Sequence, residues 1–170
     1  MRLRTATVDD ALAVAAVHVA AWQVAYRGLL PEACLAALTP DARRTTWEQT
    51  LAHGEWPLRV TLVAESADAV LGFVSFYPSR DDDATVVTGE VAAVYVHPRH
   101  WRSGIGSLLL DGAVSALRSS GCREATLWVL ERNGGARSFY VQAGWSADGG
   151  RKDVVVAGVP VTEVRYRTGW

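Results

Sequence analysis

Lysine and cysteine are both scarce in this 170-residue chain. The seventeen basic side chains are nearly all arginine, they offset eighteen acidic ones to a net charge of -1, and they are scattered from Arg2 to Arg167. Because this spacing gives no basic stripe, a nucleic acid is not an expected partner. Cys34 and Cys122 lie far apart, with no CxxC motif or neighbouring histidine pair. This pattern argues against a disulfide framework and a zinc site, predicts no metal, and favours a reducing, cytoplasmic location.

A long uninterrupted hydrophobic run is also missing. The apolar segment ALAVAAVHVAAW, residues 11–22, contains His18 and follows the acidic pair Asp9 and Asp10. Thr7, three residues before Asp10, is better explained as a helix N-cap than as part of a secretory leader. No stretch approaches the roughly 20 apolar residues of a membrane span, so a membrane is not an expected partner. With 49% hydrophobic and 21% charged residues, we expect one folded domain over residues 1–170.

Helical and β-branched segments follow one another in an order typical of an α/β protein of the α+β kind. Two hairpins require antiparallel pairs, whereas the strand-helix-strand segment after residue 90 requires a parallel pair, so the sheet is predicted to be mixed. The predicted helices are Asp9 to Tyr26, Pro31 to Leu38, Thr39 to Leu51, Gly104 to Ser119 and Asn133 to Ala143. The predicted strands are Leu3 to Ala6, Leu58 to Glu65, Val70 to Tyr77 after a Ser66-Ala67-Asp68 turn, Val91 to Val96, Ala125 to Leu130, Asp153 to Val156 and Val161 to Arg167.

A glycine pair stands where a predicted strand passes into a predicted helix. Gly104 and Gly106 begin that helix, and a helix N-terminus with little side-chain bulk is suited to a phosphate or pyrophosphate. Arg102 and Ser107 supply a guanidinium and a hydroxyl to the same loop. The sequence contains no Walker motif. A dinucleotide motif lacks its third glycine, since Leu109 occupies that position. Tight packing alone remains an alternative explanation of the pair.

A second segment, LWVLERNGGARSFYVQAGW at residues 127–145, favours the interpretation of the Gly104 and Gly106 loop as a phosphate-binding loop. Together they resemble the GNAT superfamily of acetyl-CoA-dependent acetyltransferases. The family pattern is filled here by Leu127, Val129, Asn133, Ala136, Phe139, Tyr140, Gly144 and Trp145. The pyrophosphate loop of the family is matched by Val96-His97-Pro98 and Gly104-Ile105-Gly106, with Trp101 where the family usually has Gln or Arg. The match is strong from Thr88 to Trp145 and looser in the flanking segments.

The resemblance implies a GNAT-like fold and a bound coenzyme A. The fold would be a mixed, mostly antiparallel central sheet with a splayed parallel strand pair and helices on both faces. The pantetheine arm would lie between the splayed strands, beside the backbone of Val94, Tyr95 and Val96. The implied contacts of the loop and of the later helix are Trp101, Arg102, Ser103, Gly104, Ile105, Gly106, Ser107, Asn133, Arg137 and Tyr140.

Two residues are implied to take part in the chemistry. Tyr140 would protonate the departing sulfur, a transfer that is uphill by about 2 kcal/mol at reference pKa values of about 10 and 8.5. Glu90 would act as the base toward the amine, and one direct transfer from an alkylammonium would be uphill by about 8 kcal/mol, so a water relay or a raised pKa of the carboxyl is needed. Packing of the Tyr140 ring and a solvated Glu90 are the structural alternatives.

The acceptor site is expected on the first helix. His18, Trp22 and Tyr26 fall at i, i+4 and i+8 on one helical face, where aromatic faces suit an ammonium through cation-π attraction, although such a stripe is also typical of a core. The predicted activity is transfer of acetyl from acetyl-CoA to a primary amine of a small molecule. A catalytically idle acyl-CoA-binding or sensor domain is the alternative. The oligomeric state stays open, and it includes a homodimer.

Overall fold

A computed structural model describes residues 1–67 and 69–170. The Ser66-Ala67-Asp68 turn of the predicted hairpin therefore lies partly outside the described residues, at Asp68. The strands are β1 (Arg2–Thr5), β2 (Val60–Ser66), β3 (Ala69–Pro78), β4 (Thr88–Val96), β5 (Glu124–Leu130), β6 (Ser146–Val156) and β7 (Val159–Gly169). The helices are α1 (Ala11–Ala25), α2 (Glu32–Ala36), α3 (Pro40–Ala52), α4 (Ile105–Ser119) and α5 (Gly134–Gln142), with 3-10 turns at Val8–Asp10 and Pro98–His100.

One seven-stranded mixed sheet runs through the molecule in the order β1-β2-β3-β4-β5-β7-β6. Every neighbouring pair is antiparallel except β4 with β5, which are joined through α4 and are parallel. The predicted fold class, mostly antiparallel with one parallel pair, is confirmed. A helical crossover is what makes that parallel pair possible.

Helices cover both faces of the sheet. On one face, α4 and α5 pack with Phe76, Val91, Leu127 and Tyr166 in the larger core. On the other face, α1 and α3 pack against Val63 and Phe73. Gly89 lets α4 approach β4 closely, since a Cβ there would lie 2.6 Å from Leu117 Cδ2. The two cores therefore pack against β4 from both faces of the sheet.

Local capping explains several helix starts. Thr39 Oγ1 accepts a hydrogen bond from Ala42 N over 3.2 Å, with Pro40 in the first turn, as the sequence predicts. The Thr7 backbone N–H donates to the Asp10 carboxylate over 2.8 Å, and residues 8–10 form a 3-10 turn before α1 begins at Ala11. The helix predicted to start at Asp9 therefore starts two residues later.

The final hairpin is longer than the sequence predicts. β6 begins at Ser146 instead of Asp153, because cross-strand ion pairs replace the apolar alternation that normally marks a strand. Asp148 binds the guanidinium groups of Arg165 and Arg167 across the pair. The register shifts between Ala147 and Arg151, around Gly149 and Gly150, which further hides the strand from pattern analysis.

The segment Val8–Ala25 is long and apolar enough, by length and composition alone, to cross a membrane. In the fold, α1 contributes the buried side chains of Val14, Ala15 and Val17 to the smaller core. Core packing thus accounts for the apolar character of these residues.

Candidate active site

β4 and β5 separate after a short paired stretch. Their pairing ends at Glu90 with Thr126, although β4 continues to Val96 and β5 to Leu130. A bulge in the β3–β4 pairing between Val91 and Ala93 adds a bend at the same level. The resulting gap is the splayed strand pair that the family resemblance implies.

Backbone groups of β4 line the gap. His97 N donates to Leu71 O of β3 over 2.8 Å, so by alternation the amides and carbonyls of Val94 and Val96 face away from β3 and into the gap. Trp101 Nε1 donates to Val96 O over 2.7 Å. The indole at the unusual position of the loop thereby caps the end of β4, and the peptide groups of Val94 and the amide of Val96 are left for a ligand. Tyr95 points its side chain to the α1 side.

The first turn of α4 presents backbone N–H groups at the open end of the gap. Within residues 1–67 and 69–170, no oxygen accepts from the amides of residues 104–107, and the helix ladder begins with Leu108 N donating to Gly104 O. Gly104 has φ +82° with open space around its Cβ direction. A Cβ at Gly106 would lie 3.2 Å from Phe139 Cζ. Gly104 therefore supplies backbone shape, whereas Gly106 supplies close packing on α5.

The other loop residues surround these amides. Arg102 is exposed with φ +58°, and Ser107 is exposed on the first turn of α4. Ser103 Oγ donates to His100 O over 2.6 Å, which closes the loop. Ile105 is instead buried in the larger core and anchors the helix start.

Two α5 residues have defined structural partners. Asn133 Oδ1 accepts from Ala136 N over 3.1 Å and caps the helix. Arg137 donates to Tyr166 Oη over 3.1 Å and to Glu131 O over 3.0 Å, so its guanidinium is directed toward β5 and β7. A phosphate contact by Arg137, expected from the sequence, would require it to exchange these partners.

Tyr140 lies on α5 and packs beside β7. Its ring centroid lies 6.2 Å from that of Tyr166 on β7 and 6.5 Å from that of Trp145. Burial raises the pKa of its hydroxyl above the ordinary value, and the nearby Tyr95 of β4 adds to the rise. No side chain of the described residues forms a hydrogen bond with this hydroxyl. It is therefore a neutral donor with no side-chain partner among residues 1–67 and 69–170.

Glu90 is a buried carboxyl at the point where the strands part, with 8% of its surface exposed. Tyr77 Oη donates to Glu90 Oε1 over 3.0 Å. Burial raises the pKa of Glu90, while the Tyr77 hydrogen bond opposes the rise. The guanidinium groups of Arg59 and Arg80 lie over the Tyr77 ring, 4.8 and 4.6 Å from its centroid. Burial raises the pKa of the Tyr77 hydroxyl to about 12. A raised carboxyl pKa is what a base acting on an ammonium requires.

The aromatic stripe of α1 reaches β4. His18 stacks on Tyr95 with ring centroids 5.1 Å apart, and its Nδ1 accepts from Trp47 Nε1 over 3.2 Å. Burial lowers the pKa of His18 to about 4, so the ring is neutral near pH 7. Tyr26 Oη lies 3.2 Å from Tyr95 Oη. Trp22 packs between His18 and Tyr26, and its buried Nε1 has no acceptor among the described residues.

Sequence reasoning missed a polar cluster on the α1 face of β5, β6 and β7. Trp128 Nε1 donates to Asp81 over 3.0 Å, and Lys152 Nζ lies 3.9 Å from the Trp128 ring centroid. Arg165 binds Asp81 and Asp83, so two carboxylates of the loop between β3 and β4 are engaged in ion pairs. The alternation of Leu127, Trp128 and Val129 could have placed Trp128 on the face opposite the core.

Three comparisons place the chain among known proteins. The family profile described as "Acetyltransferase (GNAT) family" matches residues 23–145. A protein of Mycobacterium tuberculosis named probable N-acetyltransferase is 31% identical over 170 residues, which covers 98% of this chain and 92% of that protein.

Solved structures agree in fold. The PaiA N-acetyltransferase of Thermoplasma acidophilum, solved with coenzyme A, superposes with a TM-score of 0.79 at 18% identity over 99% of this chain and 98% of its own. The Salmonella typhimurium protein yncA, solved with its cofactor acetyl-CoA, gives 0.71 at 21% identity over 99% and 93%. The family profile spans most of the chain, and together with the Mycobacterium tuberculosis relative it shows that the protein belongs to the GNAT acetyltransferase family.

Proposed function

We propose that this chain transfers the acetyl group of acetyl-CoA to a primary amine of a small molecule, by direct attack of the amine on the thioester. The observation that carries the proposal is the gap between β4 and β5 beyond Glu90 and Thr126, with unpaired helix amides at its open end. Two relatives in the same fold were solved with coenzyme A or acetyl-CoA, and the residues of this chain fit that ligand.

The fit rests on groups that otherwise lack partners. A diphosphate is attracted by the free amides of residues 104–107 and by the positive end of α4, and the open space at Gly104 admits its oxygens. Arg102, exposed beside the turn, adds charge. The pantetheine amides can pair with the peptide groups of Val94 and with the amide of Val96, as a third strand would.

Glu90 and Tyr140 then act on opposite sides of the reaction. Glu90 accepts the ammonium proton, directly or through water, and its raised pKa lessens the mismatch between carboxyl and amine. The free amine forms a bond to the thioester carbon, the C–S bond breaks, and the proton that the nitrogen loses on becoming an amide neutralises the departing thiolate. Since burial raises the pKa of Tyr140, complete proton transfer to sulfur is harder than at reference values. We therefore assign Tyr140 the role of hydrogen-bond donor to the departing sulfur.

The acceptor side is proposed to lie along α1. Tyr26 is linked to β4 through the Tyr95 hydroxyl, and the neutral ring of His18 does not repel an ammonium. The guanidinium of Arg43 already lies 5.6 Å from the Trp22 ring centroid, which illustrates the affinity of this stripe for cations.

The test is release of free coenzyme A from acetyl-CoA against a panel of small amines. Tyr140→Phe is expected to reduce release at least 10-fold while the dissociation constant for coenzyme A stays within about 2-fold, on the scale of a single lost catalytic hydrogen bond. Tyr166→Phe is the matched control, because that hydroxyl is occupied by Arg137; its turnover is expected to stay near wild type.

Two results would contradict the proposal. Tight binding of coenzyme A with no release against any amine would favour an idle acyl-CoA-binding or sensor domain. Stabilisation by NAD without stabilisation by coenzyme A would favour a dinucleotide enzyme.

A single domain over residues 1–170 and a cytoplasmic location remain predictions from the sequence.

A further inference from the structure

Lys152, on β6, places its ammonium group against the Trp128 ring of β5. Lys152 Nζ lies 3.9 Å from the Trp128 ring centroid and 3.6 Å from Glu163 Oε2. The side chain is 40% exposed, and 3.6 Å is longer than a normal hydrogen bond. The ammonium is therefore held by cation-π attraction and a loose ion pair, and it can leave both at small cost.

The register of the sheet connects Lys152 with Glu90. Lys152 is paired with Glu163 on β7, and Glu90 is paired with Thr126 on β5. Trp128 comes two residues after Thr126, on the same strand face and about 7 Å farther along β5. The Lys152 side chain thus crosses β7 to reach a ring beside the point where β4 and β5 part.

The electrostatics agree with this placement. Burial raises the pKa of Glu90, and the positive charge of Lys152 opposes that rise, so the two groups influence each other across the gap. Trp128 is fixed from the other side, since its Nε1 donates to Asp81 over 3.0 Å. The Lys152 ammonium therefore lies on the Trp128 ring, with the carboxylates of Glu163 and Glu90 in its surroundings.

We propose that Lys152 is a self-acetylation site, at which the enzyme acetylates its own lysine from acetyl-CoA when no outside amine is present. This inference rests on the proposed function. Glu90 takes one proton from the ammonium, Lys152 Nζ forms a bond to the thioester carbon, and the C–S bond breaks. Coenzyme A leaves as the thiol once its sulfur has taken up the second proton, which the nitrogen loses on becoming an amide. The product is a neutral Nε-acetyl-lysine, which no longer attracts the Trp128 ring as a cation.

The chain makes this inference unusually easy to test. Lys152 is the sole lysine of residues 1–170, so any Nε-acetyl group on these residues must lie there, and peptide mapping separates it from acetylation of an N-terminal amine. The full-length protein is incubated with acetyl-CoA alone, and intact-mass and peptide mass spectrometry follow the modification over time. We expect one acetyl group on the peptide that contains Lys152, and none on that peptide in Lys152→Arg, which keeps the cation.

Two controls separate enzymatic from chemical acetylation. Glu90→Gln is expected to acetylate Lys152 at least 10-fold more slowly than wild type, and excess coenzyme A is expected to suppress the wild-type reaction. Equal rates in wild type, Glu90→Gln and the urea-unfolded chain would overturn the inference.

The outcome is also separable from the proposed function. If the same preparation releases coenzyme A with an amine from the panel yet leaves Lys152 unmodified after prolonged incubation, self-acetylation is overturned and the acetyltransferase activity stands. If the protein does not bind acetyl-CoA and no amine causes release of coenzyme A, the acetyltransferase function and the self-acetylation of Lys152 are overturned together.

Discussion

Replacing Glu90 by glutamine is expected to lower the catalytic activity. It is also expected to raise the stability, relative to wild type, as the pH rises. The amide keeps an oxygen for the Tyr77 hydroxyl, 3.0 Å away in the native protein, but it cannot accept a proton from an ammonium. Removal of a general base typically lowers the rate by about 10²- to 10⁴-fold. We therefore expect the kcat/KM for amine acetylation to fall within that range.

Stability should respond with the other sign. Burial raises the pKa of Glu90, so the folded protein binds this proton more tightly than the unfolded chain, whose carboxyl pKa is about 4.3. The contribution of Glu90 to wild-type stability then falls as the pH rises from the unfolded pKa through the folded one. Glutamine does not titrate, so the Tm of Glu90→Gln relative to wild type is expected to increase from pH 4 to pH 8.

The assay is coenzyme A release together with thermal unfolding across that pH range. Tyr77→Phe provides a matched variant, because the lost hydrogen bond had held the pKa of Glu90 down; the acid limb of its kcat/KM profile is expected to shift to higher pH. Full activity in Glu90→Gln, or a Tm difference that does not change with pH, would refute the reasoning.

Three further changes test the loop, the core and an ion-pair cluster. Gly104→Ala places a side chain at φ +82° and is expected to lower the free energy of unfolding by about 1–2 kcal/mol. It is also expected to weaken coenzyme A binding, as measured by calorimetry. An unchanged affinity would contradict the role given to the loop. Leu109→Ala, at a fully buried position, is expected to lower the free energy of unfolding in urea by about 2–5 kcal/mol, and a loss below about 1 kcal/mol would disagree with the packing. The Arg4 guanidinium lowers the pKa of Asp10, so Asp10→Asn is expected to be less stable than wild type at pH 7. The difference in stability between the two proteins is expected to shrink as the pH falls below about 4. A stability difference that does not change with pH would exclude this effect of the Asp10 charge.

Local chemistry made the central part of the fold predictable. Pro98 and Gly104 mark the end of β4 and the start of α4, and Asn133 caps α5. These residues act through their own backbone or through neighbours a few positions away, so the sequence carries the whole signal. The β-branched, apolar runs of β4 and β5 predicted the two strands but not the residue at which they part.

Tertiary geometry decided what the sequence left open. Whether Glu90 would be solvated or buried depends on β3 and β5, which come from distant parts of the chain. The early part of β6 is held by Asp148 with Arg165 and Arg167, and such cross-strand charges produce no apolar period. The cation-π contact of Lys152 with Trp128 joins residues on strands that are not neighbours in the sheet, a relation that no sequence spacing encodes.

A crystal structure of the protein with coenzyme A tests the account most directly. We expect diphosphate oxygens within hydrogen-bond distance of the amides of residues 104–107, the pantetheine between β4 and β5, and the sulfur beside the Tyr140 hydroxyl. A ligand bound elsewhere, with those amides facing only solvent, would contradict the central claim.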